Sequence, residues 1–506
     1  MQHDYGHDPR SGSAKLSRRS VLRGAGVVAT AALLAGTSAT AACAREPDND
    51  RLFAELDAKV EELMARYAVP GVAIGVWHQG REHLRGFGVT DVDAPEPVSA
   101  DTLFRIGSTT KTATGTAVMR LVESGRVGLD ERVRTYLPDF ATADPTVAER
   151  VTVRQLLNHT PGWNGDFFID FGSGDDALDK YVAEIRTLAQ LTPLGTTFSY
   201  NNAAIVVAGH LVAKVTGRTY EHALRELVLD PLGLEHTAFD AVGPIAVPHG
   251  VVEGKAVPNP SAWDMPRSLH PTGGLISSAR DQLSYARFHL GDGHGPDGTE
   301  LLRPDSLVAM RSDPGPGGTL GVELDGLGVT WHLRPTAEGV HVVQHGGSWS
   351  GQHSGFLFVP DRDFAFTVLT NSDGGALLTT DLVYDDWVLQ HFAGLQNLPA
   401  APRDLSAAEL APYEGRYTAV EIAPDGDVVS TDTVLTAAAG RLRYEVPSMA
   451  EAPLGMPAYL AFYRDDHVLM LGRDGNLMPG RADFVRDDAG SLQWLRMGGR
   501  LQRKVA

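Results

Sequence analysis

Ser108-Thr109-Thr110-Lys111 is the stretch on which the fold prediction depends, and it opens a predicted helix that runs to about Ser124, with Gly125 as its C-cap. Residues three apart on a helix share a face, so the Ser108 hydroxyl and the Lys111 amine can meet. A serine hydroxyl is a weak nucleophile at neutral pH and needs a base, which a lysine supplies when burial or charge lowers its pKa. The alternative interpretation is an N-cap serine followed by a solvated lysine.

A tyrosine and an asparagine stand at the start of a second predicted helix. Tyr200-Asn201-Asn202 precedes the Ala/Val/Ile-rich helix 203–215, which Gly217 ends. A tyrosine at a helix entrance, with an asparagine two residues later, can direct two polar groups into one cleft. The alternative is an interfacial tyrosine beside an N-cap asparagine.

A histidine and two glycines stand at the end of a predicted apolar strand, in His345-Gly346-Gly347-Ser348. The glycines allow a ligand backbone to approach closely along a strand edge. They also leave the next N–H group free to bind an oxyanion. The alternative is a turn that carries a surface histidine.

Together and in this order, the three elements resemble the serine β-lactamase and penicillin-binding D,D-peptidase family, in particular its class C-like, D-aminopeptidase and esterase branch. That family carries S-x-x-K, then Y-x-N, then K-T-G or H-x-G. The resemblance covers roughly residues 52–394. Three further stretches match the family: 156–163, 230–234 and 273–275.

The resemblance implies a catalytic role for four residues. Ser108 would be the acylated nucleophile and Lys111 its activator. Tyr200 would pass a proton to the leaving group, and His345 would take the place of the lysine in K-T-G. Family members need no metal and no other cofactor.

The same resemblance implies how the substrate is held. Asn202 would hydrogen-bond the acyl side of the substrate, beside Gly346, Gly347 and Ser348. The backbone N–H groups of Ser108 and Ser348 would form the oxyanion hole.

His345 departs from the lysine of K-T-G and guides the substrate prediction. A lysine offers a permanent cation to a substrate carboxylate, whereas a histidine is mostly neutral at pH 7. We therefore expect hydrolysis of small or D-amino-acid-containing peptides, or of esters, through an acyl-enzyme, and weak turnover of β-lactams. A true β-lactamase and a penicillin-binding sensor that acylates without turnover stay open. Residues 346–350 nearly spell G-x-S-x-G, but the final glycine is missing and no helix is evident after them, so we reject an α/β-hydrolase.

Strands from both ends of a helical middle predict one three-layer α/β domain over residues 46–395. Residues 71–78 and 82–90 indicate a β-hairpin, strands return at 341–371, and 375–394 indicate a closing helix. The antiparallel sheet would be flanked by helices on both faces.

The C-terminal part indicates a second, all-β domain. Residues 396–407 resemble a linker, and seven short strands separated by turn signals follow within 408–506. Around residues 413–417 this part resembles the lipocalin-like barrels that some of these hydrolases carry. We expect the barrel to border the cleft and to restrict substrate size.

Charge and the N-terminus bear on partners and location. Of 506 residues, 44 are Lys or Arg and 63 are Asp or Glu, so the net charge is 44 − 63 = −19, which argues against nucleic acid as a partner. Residues 1–44 resemble a twin-arginine-type export signal with Arg18-Arg19, which predicts an extracellular or cell-surface protein. Cys43, the only cysteine, stands where a lipoprotein would be lipidated. The oligomeric state is left open by the sequence.

Overall fold

The computed structural model describes residues 49–241, 243–291, 293–449 and 456–505. Contacts group the chain into Met1–Pro47 and Asp48–Ala506, and the second unit is the one described below. The predicted export signal and Cys43 therefore lie outside the described residues. Within those residues no helix is long and apolar enough to cross a membrane.

Helices and strands alternate along the described chain in the order that the sequence predicts, with a helical middle between two sets of strands. The helices are α1 (Asn49–Tyr67), α2 (Thr110–Glu123), α3 (Pro145–Arg150), α4 (Val153–Leu157), α5 (Ala177–Glu184), α6 (Asn202–Thr216), α7 (Tyr220–Leu224), α8 (His270–Gly273), α9 (Ala279–Leu290), α10 (Pro304–Ala309), α11 (Gly375–Thr379) and α12 (Ala407–Leu410). The strands are β1 (Gly71–His78), β2 (Arg81–Gly88), β3 (Phe104–Arg105), β4 (His249–Val252), β5 (Lys255–Pro258), β6 (Ile276–Ser277), β7 (Gly318–Leu320), β8 (Val322–Leu324), β9 (Gly326–Leu327), β10 (His332–Pro335), β11 (His341–Trp349), β12 (Gln352–Val359), β13 (Phe364–Thr370), β14 (Gly415–Ile422), β15 (Val428–Ala438), β16 (Arg441–Glu445), β17 (Tyr459–Arg464), β18 (His467–Leu471), β19 (Leu477–Arg486), β20 (Leu492–Met497) and β21 (Arg500–Val505).

The main sheet joins the two ends of the hydrolase part. Within the described ranges its order is β2-β1-β13-β12-β11-β10-β9, and every neighbouring pair is antiparallel. One face is covered by α1 and α11, and the other by the middle helices, including α2, α6 and α9. The predicted three-layer α/β fold is confirmed.

The covered faces explain the apolar strands and helices. β1 reads GVAIGVWH and is buried along almost its whole length, as expected for a strand covered on both sides. α6 is buried on nearly every face and has Asn201 as its N-cap, whose side chain accepts a hydrogen bond from the Ala204 N–H at 2.8 Å. It ends at Gly217 with φ +71°. These caps set the position of Tyr200 at the helix entrance.

The closing helix predicted over 375–394 is interrupted. α11 ends at Thr379, π-helical turns follow at Thr380–Tyr384 and Leu389–Ala393, and Asp385 is extended. Arg334 donates hydrogen bonds to the carbonyls of Val383 and Tyr384, and Asn397 donates to the Tyr384 carbonyl as well. These side chains engage carbonyl groups that a continuous helix would use internally, and the helix breaks there.

The C-terminal part is a closed barrel of eight strands in the described residues, with β14 to β21 in sequence order. Its core contains Tyr417, Leu435, Phe462, Phe484 and Leu495. The all-β barrel is thereby confirmed. The sequence reading missed β21, which follows the turn at Gly498-Gly499 and closes the barrel against β14 and β20.

The barrel is docked on the hydrolase part by buried polar contacts with the β7–β8 hairpin. Glu323 of β8 accepts hydrogen bonds from the Tyr463 hydroxyl at 2.8 Å, from Arg464 at 2.5 Å and from Arg481. Thr319 of β7 donates to Asp483 of the barrel at 2.6 Å. The two parts are therefore in direct contact and belong to one unit of the chain, and the domain boundaries at 396–407 stay a prediction.

Candidate active site

The nucleophile turn brings Ser108 and Lys111 into contact. Lys111 Nζ lies 2.9 Å from Ser108 Oγ and donates a second hydrogen bond to the Thr272 carbonyl at 2.7 Å. Gly107 has φ +51°, and a Cβ there would stand 2.8 Å from the Ser348 nitrogen. Only glycine therefore permits the turn that places Ser108 beside β11.

Lys111 is fully buried, and its environment favours the neutral amine. Burial, with the nearby Arg500 guanidinium, holds the pKa of Lys111 well below its ordinary value, while the Asp166 carboxylate opposes that shift. A neutral amine keeps one lone pair while it donates to the Thr272 carbonyl. The same amine can accept the Ser108 proton.

Tyr200 stands between the nucleophile and the barrel. Its hydroxyl interacts with Ser108, and its ring lies 5.0 Å from Lys111 Nζ and 5.0 Å from the Arg500 guanidinium carbon. His159 stacks on the ring with centroids 4.8 Å apart. Burial raises the pKa of Tyr200 far above its ordinary value, because the phenolate would lose its hydration. The group at this position is therefore a protonated phenol.

Asn202 is oriented by two partners. Its Oδ1 accepts a hydrogen bond from the Thr272 hydroxyl at 3.0 Å, and its Nδ2 donates to Asp166 Oδ1 at 3.0 Å. An amide has two N–H donors and two acceptor lone pairs, so one of each stays available. The orientation of the amide is thus set before any substrate arrives.

His345 lies in the middle of β11 and is 1% exposed. Its Nδ1 is 2.7 Å from the Gly346 carbonyl, so Nδ1 carries the proton, and no described residue hydrogen-bonds Nε2. Burial, and then the neighbouring His332 and Lys111, hold the pKa of His345 well below its ordinary value. The His332 ring is 4.2 Å away. His345 is therefore a neutral imidazole, not a fixed cation.

The two glycines of β11 serve different neighbours. A Cβ at Gly347 would stand 1.9 Å from the Ile106 carbonyl oxygen, so this glycine is required by the nucleophile turn. A Cβ at Gly346 would stand 3.1 Å from the Tyr384 hydroxyl. Ser348 is exposed, and its hydroxyl is 2.9 Å from His353 Nδ1. The space predicted for a ligand at Gly347 is filled by the protein itself.

The barrel supplies a residue to this site. Gly499, in the hairpin between β20 and β21, accepts a hydrogen bond from the Tyr200 N–H at 2.8 Å. Arg500 donates from Nε to Asp166 Oδ2 at 2.5 Å. The expectation that the barrel borders the cleft is met at this hairpin, and the predicted effect on substrate size stays a prediction.

A second barrel element holds the loop that carries Asp166. The Ile422 N–H of β14 donates to the Asp166 carbonyl at 2.9 Å, and the Phe168 N–H donates to the Ile422 carbonyl at 2.8 Å. The Asp170 N–H donates to the Pro424 carbonyl at 3.1 Å. The loop is therefore paired along its backbone with the end of β14.

The structure brings together five residues that the sequence predicted for the site, namely Ser108, Lys111, Tyr200, Asn202 and His345. Five others around them were not predicted: Thr272, Asp166, Arg500, His159 and His332. Thr272 directly precedes the matched Gly273-Gly274-Leu275, and His159 stands inside a matched stretch, so both could have been proposed. The three others carried no such signal. Within the described ranges, no three His, Cys, Asp or Glu side chains are grouped so that they could hold a metal ion.

Comparison with known proteins places this arrangement in a family. The family model described as Beta-lactamase matches residues 56–386. The chain belongs to the beta-lactamase family. Penicillin-binding protein 4 of Amycolatopsis lactamdurans is 35% identical over 71% of this chain and 96% of its own. The predicted family is confirmed, and the chain is a serine hydrolase of the beta-lactamase family.

Two more relatives cover somewhat larger shares of this chain. The Unguisins hydrolase ungD of Aspergillus violaceofuscus is 27% identical over 73% of this chain and 76% of its own. The crystal structure of SurE is 27% identical and covers 90% of this chain and 100% of its own, with a TM-score of 0.68. SurE has also been solved with D-Leu.

Proposed function

We propose that this protein hydrolyses amide or ester bonds of small peptides, D-amino-acid-containing peptides among them, or of simple esters, through an acyl-enzyme on Ser108. The observation that carries the proposal is the 2.9 Å contact between Ser108 Oγ and a fully buried Lys111 amine. Burial makes that amine a base at neutral pH, which a serine nucleophile requires.

The reaction follows from the positions of the groups. Lys111 takes the Ser108 proton while Oγ attacks the substrate carbonyl carbon, and the N–H groups of Ser108 and Ser348 stabilise the resulting oxyanion. Tyr200, which is protonated, gives its proton to the leaving amine or alkoxide as the C–N or C–O bond breaks. Water then attacks the ester carbon and gives its proton to the Tyr200 phenolate, and Ser108 Oγ leaves with the proton that Lys111 had taken, so both groups are restored.

The charge of the His345 side chain favours one class of substrate over another. His345 is neutral, so β11 offers no fixed cation of the kind that lysine provides in K-T-G. A substrate that depends on its carboxylate, as a penicillin does, gains less here than a peptide amide or an ester. The D-Leu complex of SurE, a 26% identical relative, favours D-amino acids among the candidates.

The test is intact-mass measurement of the protein after brief exposure to p-nitrophenyl esters, D-Ala p-nitroanilide and a penicillin, with released chromophore followed in parallel. Ser108→Ala should lose turnover by at least about 10³-fold, because the nucleophile is removed. Ser124→Ala, at the end of the same helix α2 with its hydroxyl on the Leu121 carbonyl, is the matched control and should keep wild-type rates.

Four outcomes separate the alternatives. Ester or anilide turnover with a transient adduct on Ser108 supports the proposal. Fast penicillin turnover would establish a β-lactamase instead, and a persistent adduct without turnover would establish a sensor. Turnover retained in Ser108→Ala would overturn the assignment of the nucleophile.

A further inference from the structure

A chain of polar contacts links the nucleophile to the barrel. Lys111 donates to the Thr272 carbonyl, the Thr272 hydroxyl donates to Asn202, and Asn202 donates to Asp166. Asp166 accepts from Arg500, whose guanidinium lies over the Tyr200 ring. The contacts thus run around Tyr200, and their last member, Arg500, is provided by the C-terminal barrel.

We infer that Asp166 and Arg500 are positioning residues, through which the barrel holds Asn202 and Tyr200 in the geometry that the Ser108 reaction needs. This inference rests on the proposed function of the site. The Asp166 carboxylate divides its two oxygens between the Asn202 amide at 3.0 Å and Arg500 at 2.5 Å. Loss of Arg500 would leave the Asp166 carboxylate fixed only by the Asn202 amide. Loss of Asp166 would leave both Asn202 and Arg500 without the acceptor that fixes them.

Docking of the barrel does not account for this pair. Glu323 binds Arg464 and Arg481 at the same interface without contacting any residue of the site. Arg496 stands on β20, pairs with Asp483 at 3.2 Å and reaches the Gly317 carbonyl. These contacts join the two domains, whereas only the Arg500–Asp166 pair, among the described barrel ion pairs, continues to Asn202.

The pair also sets the charge around the Lys111 amine. The titratable and charged groups that face this amine and the Tyr200 ring are His159, His332, His345, Tyr200, Tyr384, Asp166 and Arg500. Burial keeps the three imidazoles and the two phenols neutral at pH 7. The charges that remain are Asp166 and Arg500, and they act on Lys111 in opposite directions.

Because the two charges act on Lys111 in opposite directions, the pH dependence of activity tests the inference. A merely structural role of the pair would not shift this pH dependence. Removal of the Arg500 charge should raise the pKa of Lys111, so the acid limb of the activity profile moves to higher pH. Removal of the Asp166 charge should lower it, so the limb moves to lower pH. A general loss of packing would instead reduce activity equally at every pH.

The experiment measures labelling of Ser108 in the full chain by a small fluorophosphonate, followed by intact mass from pH 5 to pH 10. The variants are Arg500→Gln, Arg500→Lys, Asp166→Asn and the matched control Arg496→Gln. Arg500→Gln should label roughly tenfold more slowly on the acid limb, which equals a shift of about one pH unit upward. Arg500→Lys should restore the position of the limb, and Arg496→Gln should leave it unchanged.

The rate of reaction with a peptide ester tests whether Arg500 positions Asn202. The small probe lacks the acyl chain that Asn202 would bind, whereas a peptide p-nitrophenyl ester has one. With Arg500→Lys, which keeps the charge but loses the planar fork, the ester rate should fall several-fold more than the labelling rate. Equal falls would show that Asn202 does not depend on Arg500.

The outcomes distinguish this inference from the proposed function. Wild-type protein that is never labelled on Ser108 would remove the proposed function itself. Labelled wild type, with Arg500→Gln indistinguishable from Arg496→Gln in limb position, would overturn the inference alone. Should Asp166→Asn not fold, the Gln and Lys variants of Arg500 still decide the matter.

Discussion

The two sides of the cleft are built in opposite ways. On one side, Ser108 and Lys111 are three residues apart, on the 3-10 turn Gly107–Thr109 and on the first turn of α2, which directly follows it. On the other, Asp166 and Arg500 are 334 residues apart and belong to different domains. The first side is present whenever α2 forms, whereas the second exists only when the barrel is docked. Chemistry is therefore encoded locally, and its positioning depends on the tertiary structure.

This difference indicates which part of the site can change its side chains and so vary in function. A hairpin such as Gly498-Gly499-Arg500 can change its side chain without disturbing the nucleophile turn. The nucleophile turn has no such freedom, because Gly107 and Gly347 are in close contact with backbone atoms of the opposite segment. Three perturbations would break or sharpen this comparison.

The largest expected effect is on docking of the barrel. Glu323→Ala leaves Arg481 and Tyr463 without their buried acceptor, and we expect the free energy of unfolding to fall by about 3 kcal/mol. Urea unfolding measures this change in the free energy of unfolding. Asp465→Ala, which removes an exposed partner of Arg403, is the control and should cost less than ~1 kcal/mol.

If docking positions the remote side, Glu323→Ala should also slow the ester reaction in folded protein, while fluorophosphonate labelling of Ser108 stays measurable. Unchanged ester kinetics in the folded variant would separate docking from positioning and weaken the comparison.

A smaller effect is expected from pH. Burial lowers the pKa of His332, in the cleft, and of His289, in the core away from it, to about 3. The unfolded chain takes up these protons near pH 6.5 and the folded chain does not, so this stability is present above pH 6.5 and is lost as pH falls from 6.5 towards 3. Each histidine should contribute up to ~1.4 kcal/mol per pH unit to that slope.

Urea unfolding at several pH values between 7.5 and 5 measures the slope. His289→Gln and His332→Gln should each make it shallower by up to one proton. Equal changes in the slope would mean that burial alone keeps the imidazoles neutral, both in the cleft and in the core away from it. A slope that neither variant alters would contradict the stated cause.

The smallest effect concerns the tip of the barrel hairpin. Gly499 has φ +77°, and a Cβ there would stand 2.8 Å from Leu320 Cδ1 and 3.4 Å from Tyr200 Cβ. Gly498 has φ +56°, and a Cβ there meets no described atom within 4 Å. Both changes to alanine should cost about 1 kcal/mol in stability through positive φ.

Only Gly499→Ala should also slow the ester reaction, by about threefold to tenfold, because it displaces the hairpin from Tyr200. Steady-state kinetics and thermal unfolding of the two variants measure this. Equal kinetics in both would mean that the hairpin position does not affect Tyr200.

Much of the fold could be predicted because short-range sequence patterns indicate its strands and helices. The strand GVAIGVWH and the helix after Tyr200 were placed within a few residues. The closing helix was predicted too long because Arg334 and Asn397, distant in sequence, bond to its carbonyls. β21 was missed because its six residues mix charge with apolar side chains, and its pairing with β14 closes the barrel only in three dimensions.

The site divides in the same way. Ser108, Lys111, Tyr200, Asn202 and His345 stand in motifs whose spacing is local. A charged residue after two glycines, such as Arg500, is more often solvated than functional, so nothing near it in sequence indicates Asp166 as its partner. His332 sits in a strand of four residues, too short for a periodic pattern.

By itself, the sequence determined the family, the α/β fold and the all-β C-terminal part, and it predicted which residues do the chemistry, because helix spacing, strand patterns and motifs act over a few residues. Only the tertiary structure decided that the pKa values of Lys111 and His345 lie well below their ordinary values, and that Asn202 donates to Asp166, which in turn accepts from Arg500. Burial and ion pairing arise when elements hundreds of residues apart pack together and exclude water. No local pattern records that event.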